Sequence, residues 1–266
     1  MKTARLITLT TDFGIRDSYI SCMIGQIRQI NPSAEIIHTS NLVGRQNILE
    51  GAFTLRNTLP FYPPATIHLV VVDPDVGGDR DAIAVFHHGQ FFVAPDNGIL
   101  TLALDTTEPE QMVSIQNPAY LSREISPVFH GRDVFSPAAA WLSAGVPMNL
   151  LGPGRTTMTD LRWSLPVYDK NRIIGQIIHI DHFGNAISNI SRSFLENWAA
   201  GQPVQVSLSG WDPLPVSRTY SDVEPGDAVA LIGSGGYLEV AVFHANAAGL
   251  FDIRPGSQIV VEKVQE

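Results

Sequence analysis

The spacing of apolar residues changes character along the chain, and the change separates two kinds of structure. Leu6-Ile7-Thr8-Leu9-Thr10 is apolar and β-branched and halts at Asp12-Phe13-Gly14, which predicts a buried strand running into a tight loop. Behind Asp17-Ser18, Tyr19, Ile20, Met23, Ile24, Ile27 and Ile30 fall on one helical face until Asn31-Pro32 ends the run. Glu35-Ile36-Ile37-His38 predicts a second strand, and 48–59 a second helix stopped by Pro60. Thr66 to Val72 is the strongest strand signal, and 82–86 with 90–94 reads as a hairpin around His87-His88-Gly89. A further helix is expected over 134–144, with Pro137 tolerated in its first turn.

The stretch 150–169 turns to Gly, Pro, Thr and Asp with weak periodicity and reads as a linker. Beyond it come short strands only: 172–180, 204–208, 228–232, 237–243 and 258–264, most of them separated by Gly or Pro. The expectation is an α/β N-terminal domain over 1–165, built on a largely parallel sheet, followed by a smaller all-β barrel over 172–266.

Composition narrows the function. The 266 residues are 44% hydrophobic, enough for a sizeable core. A net charge of −9 argues against non-specific nucleic-acid binding, which needs a basic face. One cysteine, Cys22, excludes an internal disulfide framework and suits a reducing compartment. The basic start Met1 to Arg5 leads into an apolar run broken by Thr8, Thr10, Thr11 and Asp12, too short for a secretory core, and no stretch is long and apolar enough for a membrane span. A cytoplasmic protein is expected.

In an open parallel sheet, ligands sit beyond the carboxyl ends of the strands. Polar residues gather there: Asp12 after the first strand, Asp73-Pro74-Asp75-Val76-Gly77-Gly78-Asp79-Arg80 after the strongest, then Pro95-Asp96-Asn97-Gly98 and Phe129-His130-Gly131-Arg132-Asp133. Ile180-Asp181-His182-Phe183-Gly184-Asn185 is a polar loop between apolar strands. Asp, Asn and Gly dominate ordinary turns too, so each motif alone is also consistent with a structural role. The chain lacks a P-loop and a G-x-S-x-G elbow, and Gly233-Ser234-Gly235-Gly236 fails the dinucleotide fingerprint because Leu238 replaces the third glycine. His87 and His88 would point apart on an extended turn and are expected to be solvated; His179, Asp181 and His182 lack a recognised ligand spacing, so no metal site is expected.

Six ordered blocks carry a resemblance over nearly the whole chain: Thr10-Thr11-Asp12-Phe13-Gly14, Gly51-Ala52-Phe53, Val72-Asp73-Pro74 with Val76-Gly77 and Arg80, Ala94 to Gly98, Phe129 to Asp133, and Ile180-Asp181 with Phe183-Gly184-Asn185. They resemble the S-adenosyl-L-methionine hydroxide adenosyltransferases, relatives of the fluorinase and chlorinase enzymes. The resemblance implies a homotrimer whose sites lie between subunits, with S-adenosyl-L-methionine as substrate and adenosine as product ligand; because sulfonium is already a good leaving group, no cofactor is expected. It implies that Asp73, Arg80 and His130 handle the attacking water, that Asp12 holds the ribose, and that Asp181 meets the methionine ammonium. Phe183 and Asn185 would flank adenine, and Ser234 would meet the methionine carboxylate. Halogenating relatives carry tyrosine at the position of Asp73, so hydrolysis is expected over halide transfer; a nucleoside-binding protein with little catalysis is the alternative. The chain departs from the family at Asp75, where glycine is usual, and at Gly233 and Phe243, where asparagines are usual.

Overall fold

The computed structural model describes residues 6–104, 107–161, 165–208 and 211–264. The chain forms two compact units, Met1–Leu161 and Arg162–Glu266. In the first, a six-stranded sheet has the order β2-β1-β3-β5-β4-β6, with β1 at Leu6–Thr11, β2 at Glu35–Ser40, β3 at Ile67–Val71, β4 at Ala82–His87, β5 at Gln90–Pro95 and β6 at Gln111–Ser114. The β1–β2, β1–β3 and β3–β5 pairs are parallel, and β4 runs against both its neighbours.

Every residue of β3 is buried, as a strand covered on both faces requires. Ile67, Leu69 and Val71 join Ile7 and Leu9 in one core with helices α1 (Tyr19–Ile30) and α4 (Ser136–Ser143). Val70, with Val72 just beyond the strand, faces the opposite core, made with helix α2 (Ile48–Thr58). The chain therefore leaves β1 by a helix on one face and returns to β3 by a helix on the other. That reversal sets a topological switch point between β1 and β3, where open sheets place ligands. A one-turn helix, α3 (Thr101–Leu104), follows β5.

The stretch read as a linker is largely part of this unit. Leu151 and Leu161 are buried, Arg155 pairs with Asp81 and Asp96 at 2.6 and 2.8 Å, and the Thr159 N–H donates to Asp96 across 2.7 Å. Its weak periodicity reflects anchoring by polar bonds instead of an apolar face. The helix expected over 134–144 begins instead as a π-helical turn at Gly131–Phe135 and becomes α-helical at Ser136.

In the second unit, strands β8 to β14 close a barrel of seven in the order β14-β10-β11-β12-β13-β9-β8, with β8 pairing back onto β14. They span Arg172–Ile180, Ala186–Ser191, Val204–Leu208, Leu214–Ser217, Ala228–Ile232, Tyr237–Val242 and Gln258–Lys263, and the short β7 (Val167–Tyr168) lies against β8. Inward residues such as Ile173, Ile177, Val206, Leu238, Val240 and Ile259 fill the barrel, while helices α5 (Arg192–Ala199) and α6 (Ala247–Phe251) connect strands. Among the described residues no helix is long and apolar enough to cross a membrane.

Candidate active site

Asp73 lies two residues past the end of β3, and its loop returns at Arg80 just before β4. The Arg80 guanidinium grips the Asp73 carboxylate with both arms: Nε donates to Oδ1 across 2.8 Å, and Nη2 donates to Oδ2. The same Nη2 lies 2.8 Å from His130 Nδ1. An arginine can only donate, so Nδ1 is the acceptor, and the neutral ring carries its proton on Nε2. The Asp73 and Arg80 side chains are only 4% and 8% exposed, so this charge pair is shielded from water on most sides. The guanidinium also lies over the Phe135 ring, 5.2 Å from its centroid. Burial, followed by the Arg80 charge, holds His130 below the ordinary histidine range, against the opposing pull of Asp73 and Asp133.

Two devices hold the loops in register. Gly77 adopts φ +82°, and a Cβ there would stand 2.3 Å from the Pro127 carbonyl oxygen; only glycine lets the Asp73 loop lie so close to the segment leading to His130. Next to His130, Arg132 donates twice to the buried Asp133 carboxylate at 2.7 Å, and the Ser126 N–H donates to the same group across 2.9 Å. Phe13, Tyr19 and Phe129 pack as a ring cluster with centroids 5.2–5.9 Å apart, beside the backbone of Gly131.

The other sequence-derived residues are placed as follows. Asp12, just past β1, accepts the Gln46 N–H at 2.8 Å. In the second unit Asp181 organises its own turn: Oδ1 accepts the Phe183 and Asn185 N–H groups and Oδ2 accepts Asn185 Nδ2, each at 2.9 Å. A carboxylate has about four lone-pair sites, so Oδ2 keeps one for an incoming cation. The Phe183 ring stands 72% exposed, Asn185 is buried and Ser234 is exposed on the β12–β13 turn. Asp96 and Asn97 are structural: Asp96 is tied to Arg155 and Thr159, and Asn97 Nδ2 donates to the Val72 carbonyl at 2.9 Å.

Sequence reasoning passed over a buried glutamate and its tyrosine partner. Glu239, mid-way along β13, accepts a hydrogen bond from the Tyr220 hydroxyl. Burial pushes Glu239 above the usual carboxylate range; the Tyr220 bond opposes this and the Asp181 charge adds to it. Tyr220 is likewise raised, by burial first and then by Glu239. At Gly233 a Cβ would lie 1.9 Å from Glu239 Oε2 as that side chain stands. A glutamate inside the apolar run Tyr237 to Val242 was the available signal.

A two-unit protein of this kind, with an α/β sheet domain, a closed barrel and an Asp–Arg–His set at the switch point, defines a narrow class. The chain belongs to the S-adenosyl-L-methionine hydroxide adenosyltransferase family: the model of its N-terminal domain matches residues 7–152, and that of its C-terminal domain matches residues 175–260. It is 33% identical to the (R)-S-adenosyl-L-methionine hydrolase of Salinispora arenicola, covering 98% of this chain and 99% of that one. A protein of the same name from Thermus thermophilus is 32% identical over 96% of this chain and 98% of its own. The fluorinase of Nocardia brasiliensis is more distant, at 25% identity over 97% and 96%. A solved structure, an uncharacterized conserved protein from Thermotoga maritima, superposes with a TM-score of 0.88 at 31% identity, covering 97% of this chain and all of that one.

Proposed function

We propose that this protein hydrolyses S-adenosyl-L-methionine to adenosine and L-methionine, with Asp73, Arg80 and His130 holding the attacking water. The observation that carries this reading is that Arg80 bonds both Asp73 and His130 beyond the end of β3. Water adds to the ribose C5′, the C5′–S bond breaks, and its electron pair stays on sulfur, giving neutral methionine thioether; the water's proton passes to Asp73 and from there to solvent. Sulfonium is already a competent leaving group, so the reaction as proposed requires no metal or cofactor.

What the protein supplies is placement and charge. Fixing water in line behind C5′ can lower the barrier by roughly 7–11 kcal/mol at best. Because Arg80 occupies the His130 Nδ1 lone pair, Asp73 is the member of the set that accepts the water's proton. The His130 Nε2–H and the Arg80 charge then stabilise hydroxide character. A fixed carboxylate at this position also repels a halide; like charges about 4 Å apart cost on the order of 4 kcal/mol at a typical effective dielectric.

By resemblance, Asp12 takes the ribose hydroxyls, Asp181 the methionine ammonium, Phe183 and Asn185 the adenine, and Ser234 the methionine carboxylate. The same reading includes a homotrimer with its sites between subunits, located in the cytoplasm. Incubation with each sulfonium epimer of the substrate in ¹⁸O-water tests the chemistry. Adenosine labelled at the 5′ hydroxyl is expected; tight adenosine binding without turnover, or a chloride-dependent product, overturns the reading.

A further inference from the structure

At the far end of the β4–β5 hairpin stands a second group of functional side chains, none of them used by the chemistry above. His87 and His88 do not point apart. His88 takes a left-handed backbone, φ 46°, which brings its ring to 3.9 Å from that of His87, centroid to centroid. Glu110 lies one step beyond the paired residues Phe86 and Gln111, opposite His87. Its carboxylate is held by the His88 N–H, at 3.1 and 3.2 Å from the two oxygens. One ligand atom from each of the three residues lies within 4.8 Å of the others.

The hydrogen bonding leaves this group short of a positive charge. Thr107 Oγ1 gives its only proton to the Leu104 carbonyl at 2.6 Å, so across the 3.0 Å to His87 Nε2 it must accept. The proton of a neutral His87 is therefore on Nε2, and Nδ1 presents a bare lone pair. That buried Nδ1 makes no well-aligned hydrogen bond and faces Glu110 Oε2 at 3.3 Å, so on the neutral ring acceptor stands against acceptor. A histidine whose outer nitrogen is fixed by a hydroxyl while the inner one faces a carboxylate has the arrangement of a metal ligand with its supporting contact. Both imidazoles also line a cavity of about 450 Å³ shared with Arg56, Tyr62 and Gln90.

We propose that His87 Nδ1, His88 and Glu110 form a binding site for a divalent transition-metal ion of the zinc, cobalt or nickel kind. Two imidazoles and one carboxylate favour such borderline ions over magnesium or calcium, which prefer all-oxygen shells.

The test uses the full-length, tag-free protein, stripped with chelator and titrated with Co²⁺ while its visible d–d absorption is followed; Zn²⁺ is then added in competition. One Co²⁺ per chain, displaced by Zn²⁺, is expected. His88→Ala and Glu110→Gln, both at exposed positions, should each weaken binding about tenfold or more. Turnover of S-adenosyl-L-methionine by the two variants should stay at the wild-type rate. Absence of Co²⁺ binding by the wild type, or binding that both variants retain, overturns the proposal and leaves a proton as the charge between His87 and Glu110.

Discussion

Arg80 Nη2 donates to His130 Nδ1 across 2.8 Å while the same guanidinium clasps Asp73. One planar fork thereby fixes a carboxylate and an imidazole at once, a geometry that an ammonium cannot reproduce. Arg80→Lys keeps the charge and loses the simultaneous contacts. The expected result is a fall in kcat of about 10²–10³-fold with KM changed much less, measured by steady-state release of adenosine. A lysine variant with wild-type kcat would show that charge alone suffices.

Asp73→Asn preserves shape and removes the proton acceptor. Turnover should drop by about 10²–10⁴-fold. Calorimetric affinity for adenosine should stay close to that of the wild type. Parallel loss of turnover and affinity would make Asp73 a structural partner of Arg80 and nothing more.

His130 provides a pH test whose sign is fixed by its surroundings. Its folded value lies below the ordinary 6.5, so the neutral Nε2–H form persists to lower pH than in a free imidazole and is lost as the pH falls through that lower value. The midpoint of the acid limb in a plot of log kcat against pH should therefore lie below 6.5. A decline centred above 6.5 would mean that Arg80 does not depress this histidine.

How much of this was legible in the sequence depended on the length of each periodic segment. The strand at Ile67–Val71 and those of the barrel at Arg172–Ile180, Val204–Leu208 and Ala228–Ile232 carry long apolar or alternating runs, and they were found at nearly their observed ends. Gln111–Ser114, Leu214–Ser217 and Thr101–Leu104 are four residues each, too few to establish a period. The π-helical turn beside His130 has no compositional mark, so periodicity predicts the helix only from Val134 on. His88 is exposed as expected, but His87 is buried and the two rings meet, because neighbouring side chains diverge only on extended backbone and the left-handed φ at His88 reverses that rule. The members of the Asp73–Arg80–His130 set were legible through resemblance; their hydrogen-bonding order, which separates acceptor from donor, was not.

Folding of the first unit should be acid-sensitive through His68. This ring is fully buried on β3, accepts from or donates to Thr8 Oγ1 at 2.8 Å, and stacks on Phe92. Burial lowers it from 6.5 to about 4, a contact with Gln90 working in the opposite sense. Since the folded value is the depressed one, its contribution is complete above about pH 6.5 and is lost progressively as the pH falls toward about 4. The shift corresponds to a loss on the order of 3 kcal/mol across that window. Urea unfolding of wild type and His68→Asn over the same pH range measures it; identical slopes for the two proteins would remove His68 as the cause.

Gly77→Ala tests whether the approach of two loops sets the catalytic geometry. The φ of +82° alone costs a residue with a Cβ about 1–2 kcal/mol, and the Pro127 oxygen 2.3 Å away adds a clash that backbone must absorb. The Asp73 loop should shift away from the His130 segment, lowering kcat while the barrel is untouched. Gly78→Ala is the control, since its Cβ would meet the Asp75 oxygen at 3.1 Å and its φ is not left-handed. Equal activity in the two variants would refute the role given to Gly77.

The last prediction concerns the residue where the chain departs from its family, and it rests on a coupling. At Gly233 a Cβ would sit 1.9 Å from Glu239 Oε2, so Gly233→Asn must drive the Glu239 carboxylate away from the Tyr220 hydroxyl. Breaking a part-buried hydrogen bond to a carboxylate costs about 1–3 kcal/mol, and the displaced carboxylate must find new partners. Gly233→Asn alone is therefore expected to destabilise the protein by that amount. In the background Glu239→Ala the clash has no carboxylate to meet, so adding Gly233→Asn should cost little. A double-mutant cycle built from thermal or urea unfolding reads the difference as a coupling energy, expected to exceed about 1 kcal/mol. Strict additivity of the two substitutions would show that Gly233 is not kept by its contact with Glu239.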